Sequence, residues 1–433
     1  MPILLTSLRL LPLWLGLLYL GATIALFFFG PFDWPLNNGG VVLGFLLVTL
    51  LALALGYTLS GHAIIPGRPL ISWRKCYRVG AVASIILLFP STYVYTGKWP
   101  WEVLSVLSDQ GAAYQEMLKA LEANESGIRS YVSLARALAA PFVCCVIPFA
   151  ILNWRSLTLL DVLLLLGHVG AVLVFSLMRG TDRETGELLV FVGGTFMVLA
   201  GQAMIRRGRF PFSAGKVGVA GLLLVVLLFS TLFLFIERKE ARMGGSGMFC
   251  IAEGVVCSHR SPSDEPLADK LNFAMEMLSA YMAQGYYGLS LALEEDFTST
   301  MGLGHSSFLM SNFSKVVDDS LYQRSYLSKV NLAGWSDTAQ WSTMFTWIAS
   351  DVGFPLVPLV ILVMGFLWGG AWKSALFNGS EAGTLVFLFL TLSVLYAPAN
   401  NQLTQTLDSY FAFVFWLFIW LGQQRKEPAL VNA

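Results

Sequence analysis

The chain has 433 residues, and its 27 Lys and Arg balance 27 Asp and Glu to a formal net charge of zero. Hydrophobic residues make up 56% and charged residues 12%, about half the ~25% charge of ordinary soluble domains, and mean hydropathy is +0.67. These values exclude a soluble globular fold, intrinsic disorder and nucleic acid as a main partner. What remains is an all-α, polytopic membrane protein.

A membrane-spanning helix needs about 20 mostly apolar residues. Ten segments meet or approach that need: 8–30, 40–60, 79–97, 138–154, 157–178, 188–205, 217–236, 353–372, 384–398 and 409–423. The first is too long for the core of a signal peptide and is expected to be retained. Short loops rich in Lys and Arg face the cytoplasm. Arg68, Arg74, Lys75 and Arg78 share one such loop, and Arg206, Arg207, Arg209 and Lys216 another. Arg425 and Lys426 lie in the tail. With ten spans these groups fall on one side, so both termini are expected in the cytoplasm. The domain expectation is 1–236 for helices one to seven, 237–352 for a large outer loop, and 353–433 for helices eight to ten.

The first long outer loop, 98–137, opens with Lys98-Trp99-Pro100-Trp101. Paired tryptophans beside a span read as an interfacial belt, with sugar stacking as the sharper alternative. Apolar spacing over 109–136 predicts a helix on the membrane surface. Its Arg129 and Arg136, seven residues apart, share a face and suit either snorkelling or phosphate contacts. Asp161 lies within the fifth span, and His168 is expected to hydrogen-bond a neighbouring helix.

The next outer turn is RGTDRETGE, residues 179–187. Arginines are disfavoured on the outer face. Arg179 and Arg183 are therefore either salt-bridged to the nearby acids or a guanidinium clamp for an anionic headgroup. In the large loop, Arg238 precedes a glycine run, and Cys250 and Cys257 are either bridged or two free thiols. One or two helices are expected over 268–296, ending near Glu295. The turn TSTMGLGHSSF follows, with His305 as a candidate base. Arg324 follows, and then Trp335, Trp341 and Trp347 at intervals of six. Asp351 sits at the mouth of the eighth span as a helix cap or a site carboxylate. The stretch APANNQLTQTLD, 397–408, supplies Asn401 and Gln402 as amides suited to sugar hydroxyls. No Walker A, HExxH, GxSxG or DxD pattern appears.

Many spans, a long outer loop late in the chain and outer-face arginines resemble the Wzy-type oligosaccharide repeat-unit (O-antigen) polymerases. The local text SAYMAQGYYGLSLALEEDF, then GLGHS, a tryptophan-rich stretch ending SDVGF, and NNQ before the last span is similar to that family, chiefly over the C-terminal third. The resemblance implies a GT-C-like bacterial inner-membrane glycosyltransferase. It would act at the periplasmic face on undecaprenyl diphosphate-linked repeat units, without metal or other cofactor. A chain-length regulator and a flippase would be its partners. An O-antigen ligase and a lipid-linked oligosaccharide transporter are the alternatives. In such an enzyme, Arg179, Arg183, Arg129, Arg136, Arg238 and Arg324 would meet the diphosphate. His305, Asp351 and Glu295 would act on the acceptor hydroxyl. Tyr286, Tyr287, Trp341, Asn401 and Gln402 would hold the sugars.

Overall fold

The computed structural model describes residues 2–60, 72–107, 127–208, 266–337 and 339–424, with shorter pieces within 112–119, 233–237 and 250–257. The principal helices are α1 (Pro2–Phe29), α2 (Gly39–Leu59), α3 (Trp73–Thr96), α4 (Ile128–Val143), α5 (Val146–Leu152), α6 (Leu159–Met178) and α7 (Arg183–Arg207), then α8 (Pro266–Ala292), α9 (Ser307–Val317), α10 (Tyr326–Leu332), α11 (Met344–Val352), α12 (Val357–Asn378), α13 (Glu381–Tyr396) and α14 (Leu407–Gln424). The protein is a mostly helical, polytopic membrane protein. Among the described residues, seven helical spans are long and apolar enough to cross a bilayer, α4 and α5 counting together as one.

Two of the ten expected spans, over α13 and α14, form shorter apolar helices. The segment 217–236 lies almost wholly outside the described residues. The surface helix expected over 109–136 is corrected in its second half. From Ile128 the chain already belongs to the long apolar helix Ile128–Leu152, broken at Cys144 and Cys145. Arg129 and Arg136 therefore sit on a span, because Val132, Leu134 and Leu138 continue its apolar run. Over 268–296 a single helix, α8, forms.

The chain forms two compact units interleaved in sequence. The first comprises 1–62, 246–371 and 389–406, and the second 63–245, 372–388 and 407–433. In the first unit α1 packs along α8, and α8 also touches α2, α10 and α11. Thr23 and Tyr286 share a hydrogen bond of 2.9 Å in that seam. Helices α2 and α12 cross with their backbones in contact. A Cβ on Gly56 would lie 1.9 Å from the Leu362 carbonyl oxygen, and one on Gly365 would lie 2.4 Å from that of Leu53. Gly365 and Gly369 make a small-xxx-small pattern, which allows such approach where lipid supplies no hydrophobic drive. Gly365→Leu is expected to cost at least the roughly 1–3 kcal/mol typical of overpacking, read as a lower melting temperature in detergent.

In the second unit α3 packs on α4 and α6, and α14 packs on α4. Asp161 is fully buried at the start of α6. It closes a capping box with Thr158 and pairs with Arg78 at 2.7 Å. His168 Nδ1 meets Ser84 Oγ on α3 at 2.9 Å, the interhelical bond expected of it. A two-stranded ribbon, Cys250–Ala252 with Val256–Cys257, belongs to the first unit, and a disulfide joins Cys250 to Cys257.

Candidate functional site

Two arrangements of chemistry-bearing residues stand out, one in each unit. In the first unit a turn between α8 and α9 delivers His305 to Asp351, 46 residues away on α11. Asp351 Oδ2 accepts from His305 Nδ1 at 2.8 Å and from the His305 backbone N–H at 2.9 Å. Its Oδ1 accepts from the Gly304 N–H at 2.7 Å and from the Thr300 hydroxyl. Gly304 is required sterically, because a Cβ there would lie 2.1 Å from Thr300 Oγ1. Met301 holds a positive φ of 58° in the same turn, a strain that persists only when the surroundings over-determine it.

The amide-rich stretch closes the other side of this turn. The His305 carbonyl accepts from Asn401 Nδ2 at 2.9 Å and from Thr404 Oγ1 at 2.6 Å. Ser306 Oγ donates to the Thr404 carbonyl at 2.6 Å, and Ser307 Oγ meets Gln405 Oε1 at 2.8 Å. Gln405 Nε2, Asn400 Oδ1 and Trp347 Nε1 are buried without a hydrogen-bond partner among the described residues.

Burial pushes the Asp351 carboxyl up, but the bonds from His305, Thr300 and Gly304 together outweigh it and hold the group below the usual carboxylate range. An ionised Asp351 is an acceptor only, so the His305 Nδ1 is the donor in this bond. The unfolded chain binds more protons near pH 4, so the stability Asp351 contributes is present above its unfolded pKa, about 3.9. That stability is lost as pH falls through the lower folded value. Thermal melts of the wild type and Asp351→Asn across pH 3–7 are expected to differ at neutral pH and to converge at the acid end.

In the second unit three guanidinium groups gather over two aromatic rings. Arg129, Arg136 and Arg179 stand 5.7, 5.9 and 5.5 Å from the Tyr95 ring centroid. Arg136 and Arg179 lie 4.6 and 5.2 Å from that of Phe175. Tyr95 and Phe175 pack edge to face, and the Tyr95 hydroxyl meets Ser133 Oγ at 3.1 Å. Arg136 and Arg179, and Arg183 beside them, have carboxylate partners. Arg136 pairs with Asp408 at 3.0 Å, Arg183 with Glu187 at 2.9 Å, and Arg179 with Glu184. Arg179 Nε is buried and has no hydrogen-bond partner among the described residues. The salt-bridge alternative is thus the one the structure shows, with one guanidinium donor left over.

The structure brings together His305, Asp351 and Asn401 in one site, and Arg129, Arg136, Arg179 and Arg183 in the other. It leaves the remaining candidates elsewhere. Glu295 is exposed just past the end of α8, with no bond to His305 or Asp351. Arg324 is held locally by Asp318 and Ser320. Tyr286 is 1% exposed against Thr23 and Phe27. Tyr287 is buried against Trp34 and Trp335. Those two rings are therefore core members rather than sugar platforms, because α1 covers one and Trp34 with Trp335 covers the other. Trp341 packs on the Tyr281 edge, and its carbonyl accepts from the Trp335 indole at 3.0 Å. Gln402 is buried beside Asn401, and Arg238 lies outside the described residues. Thr300, Tyr95, Phe175 and Asp408 were not legible as site members, since each is an ordinary helix-end or loop residue until the chain folds.

Comparison with known proteins finds no matching family model, no similar curated protein and no similar solved structure.

Proposed function

We propose that the protein polymerises oligosaccharide repeat units carried on a polyprenyl diphosphate at the outer face of a bacterial inner membrane. The observation that carries this reading is the His305–Asp351 pair. In the reaction, His305 Nε2 takes the proton from an acceptor sugar hydroxyl, and that oxygen bonds to the anomeric carbon of the donor. The bond from that carbon to phosphate oxygen breaks, and the lipid diphosphate leaves with the electron pair. Asp351 keeps the ring in the required tautomer and stabilises the imidazolium. Arginines can neutralise a developing diphosphate without a metal ion. Within the second unit, the three guanidiniums gathered on Tyr95 are chemically suited to such an anion.

The topology in this reading has ten spans, the seven long helices together with α13, α14 and 217–236, and both termini in the cytoplasm. The Cys250–Cys257 disulfide supports an outer location for the large loop, because such bonds persist in oxidising compartments and are rare in the cytosol. After reduction, a membrane-impermeant maleimide is expected to label these cysteines in intact spheroplasts. Labelling only after lysis would reverse the topology.

The direct test is polymerisation by the purified protein, given lipid diphosphate-linked repeat units in the presence of EDTA. A ladder of lengthening glycans is expected. Unchanged substrate combined with its movement across vesicle membranes would replace the reading by a transporter. Transfer only to a lipid A core acceptor would make the protein a ligase.

A further inference from the structure

The second unit carries another cationic site, at the opposite end of α7 from Arg183. Arg183 opens that helix and Arg206 and Arg207 close it, which separates them by roughly 35 Å at 1.5 Å per residue. The two ends therefore lie at opposite faces of the bilayer. At the Arg206 end the last turn of α7 and the Asn153–Ser156 turn enclose an open cavity of about 290 Å³. Arg155, Arg206 and Arg207 line it together with Asn153, Gln202 and Trp154.

Arg155, Arg206 and Arg207 are exposed around this concavity. Arg155 lies over the Trp154 ring at 5.3 Å from its centroid, which orients the guanidinium. Ser156 Oγ donates to the Asn153 carbonyl at 2.8 Å, and the Ser156 carbonyl accepts from Arg74. Gln202 Nε2 is anchored on the Ala375 carbonyl at 2.8 Å. Among the described lining residues there is no carboxylate. Glu381 touches the edge, through Asn153. Three guanidiniums around one concavity repel one another unless an anion joins them. Arg is the side chain whose planar fork matches phosphate oxygens. Leu152 and Leu199 supply an apolar wall beside the charges. The volume is at the lower end of the ~300–1,000 Å³ of small-molecule pockets, so it suits a headgroup and not a whole lipid. Trp154 is of the residue type that marks the membrane–water interface.

We infer that Arg155, Arg206 and Arg207 form a binding site for the phosphate headgroup of an anionic phospholipid, in the leaflet opposite the Arg179 cluster. Basic pockets between spanning helices are the usual form of such recognition. The inference does not depend on the polymerase reading, and its test reads binding rather than activity.

The test is native mass spectrometry of the full-length protein in detergent, titrated with phosphatidylglycerol or phosphatidylcholine. The wild type is expected to retain phosphatidylglycerol at least tenfold better. The triple variant Arg155→Gln, Arg206→Gln, Arg207→Gln is expected to lose that preference. Should the triple variant not fold, Arg207→Gln alone is expected to weaken retention several-fold. Addition of phosphatidylglycerol to the wild type is in addition expected to raise its melting temperature more than inorganic phosphate does. Equal retention of the two lipids by the wild type, undiminished preference in the variants, or equal stabilisation by inorganic phosphate would each overturn the inference.

Discussion

His305→Asn is expected to lower polymerisation by about 10²–10⁴-fold, the range of a lost general base, while the protein stays folded. Asn is chosen because its side-chain amide can still donate to Asp351, which already accepts from Gly304 and the His305 backbone. Asp351→Asn is expected to fall in the same class, since its amide nitrogen would face the His305 ring with a donor and disfavour the working tautomer. The double variant should be little worse than either single one, because residues that act as a unit are non-additive. The measurement is the initial rate of glycan extension, with circular dichroism confirming helix content. Additive losses, or an active His305→Asn, would remove the pair from the chemistry and leave it a structural clasp of the 298–306 turn.

Arg179→Gln is expected to be the next most damaging change, reaching roughly the 10²–10³-fold loss seen when one charge-stabilising donor is removed, and Arg179→Lys is expected to lose part of that. The lysine form keeps the charge and can still pair with Glu184, so a simple salt-bridge role predicts near-normal activity. It lacks the planar fork that stacks over Tyr95 and Phe175 and offers two oxygens parallel donors. Arg136→Lys should behave alike, since Arg136 pairs with Asp408 as Arg179 does with Glu184. Arg324→Gln serves as the control, because that side chain is spent on Asp318 and Ser320. Equal rates for wild type and Arg179→Lys would show that point charge alone suffices there.

The site was legible to the degree that its members carry chemistry in unusual local text. His305 stands in GLGHS, and Asp351 in SDVGF. The pairing itself had no sequence signal, because the partners are 46 residues apart and come together only when α11 packs beside the turn. Arg179 and Arg183 were conspicuous as a dense charge cluster between two apolar spans. Their aromatic floor was not, since Tyr95 and Phe175 sit near the ends of different helices and look like any interfacial rings. Tyr286 and Tyr287 failed as sugar platforms for the reverse reason. Two adjacent tyrosines point to different sides of α8, and only the positions of Thr23, Trp34 and Trp335 show that both sides are covered.

By itself the sequence determined the membrane class, the helical content and most of the spans, because burial in lipid demands long apolar runs whose backbone bonds close internally. It also set which end of each helix is basic, since charge cannot rest cheaply in hydrocarbon. Tertiary structure decided which helices touch, through close approaches such as Gly56 and Gly365. It decided that Ile128–Arg136 joins a span, and that Asp351 clasps His305. Those outcomes rest on side-chain volume and hydrogen-bond geometry between residues far apart in the chain. Hydropathy, which averages over neighbours in sequence, carries none of that information.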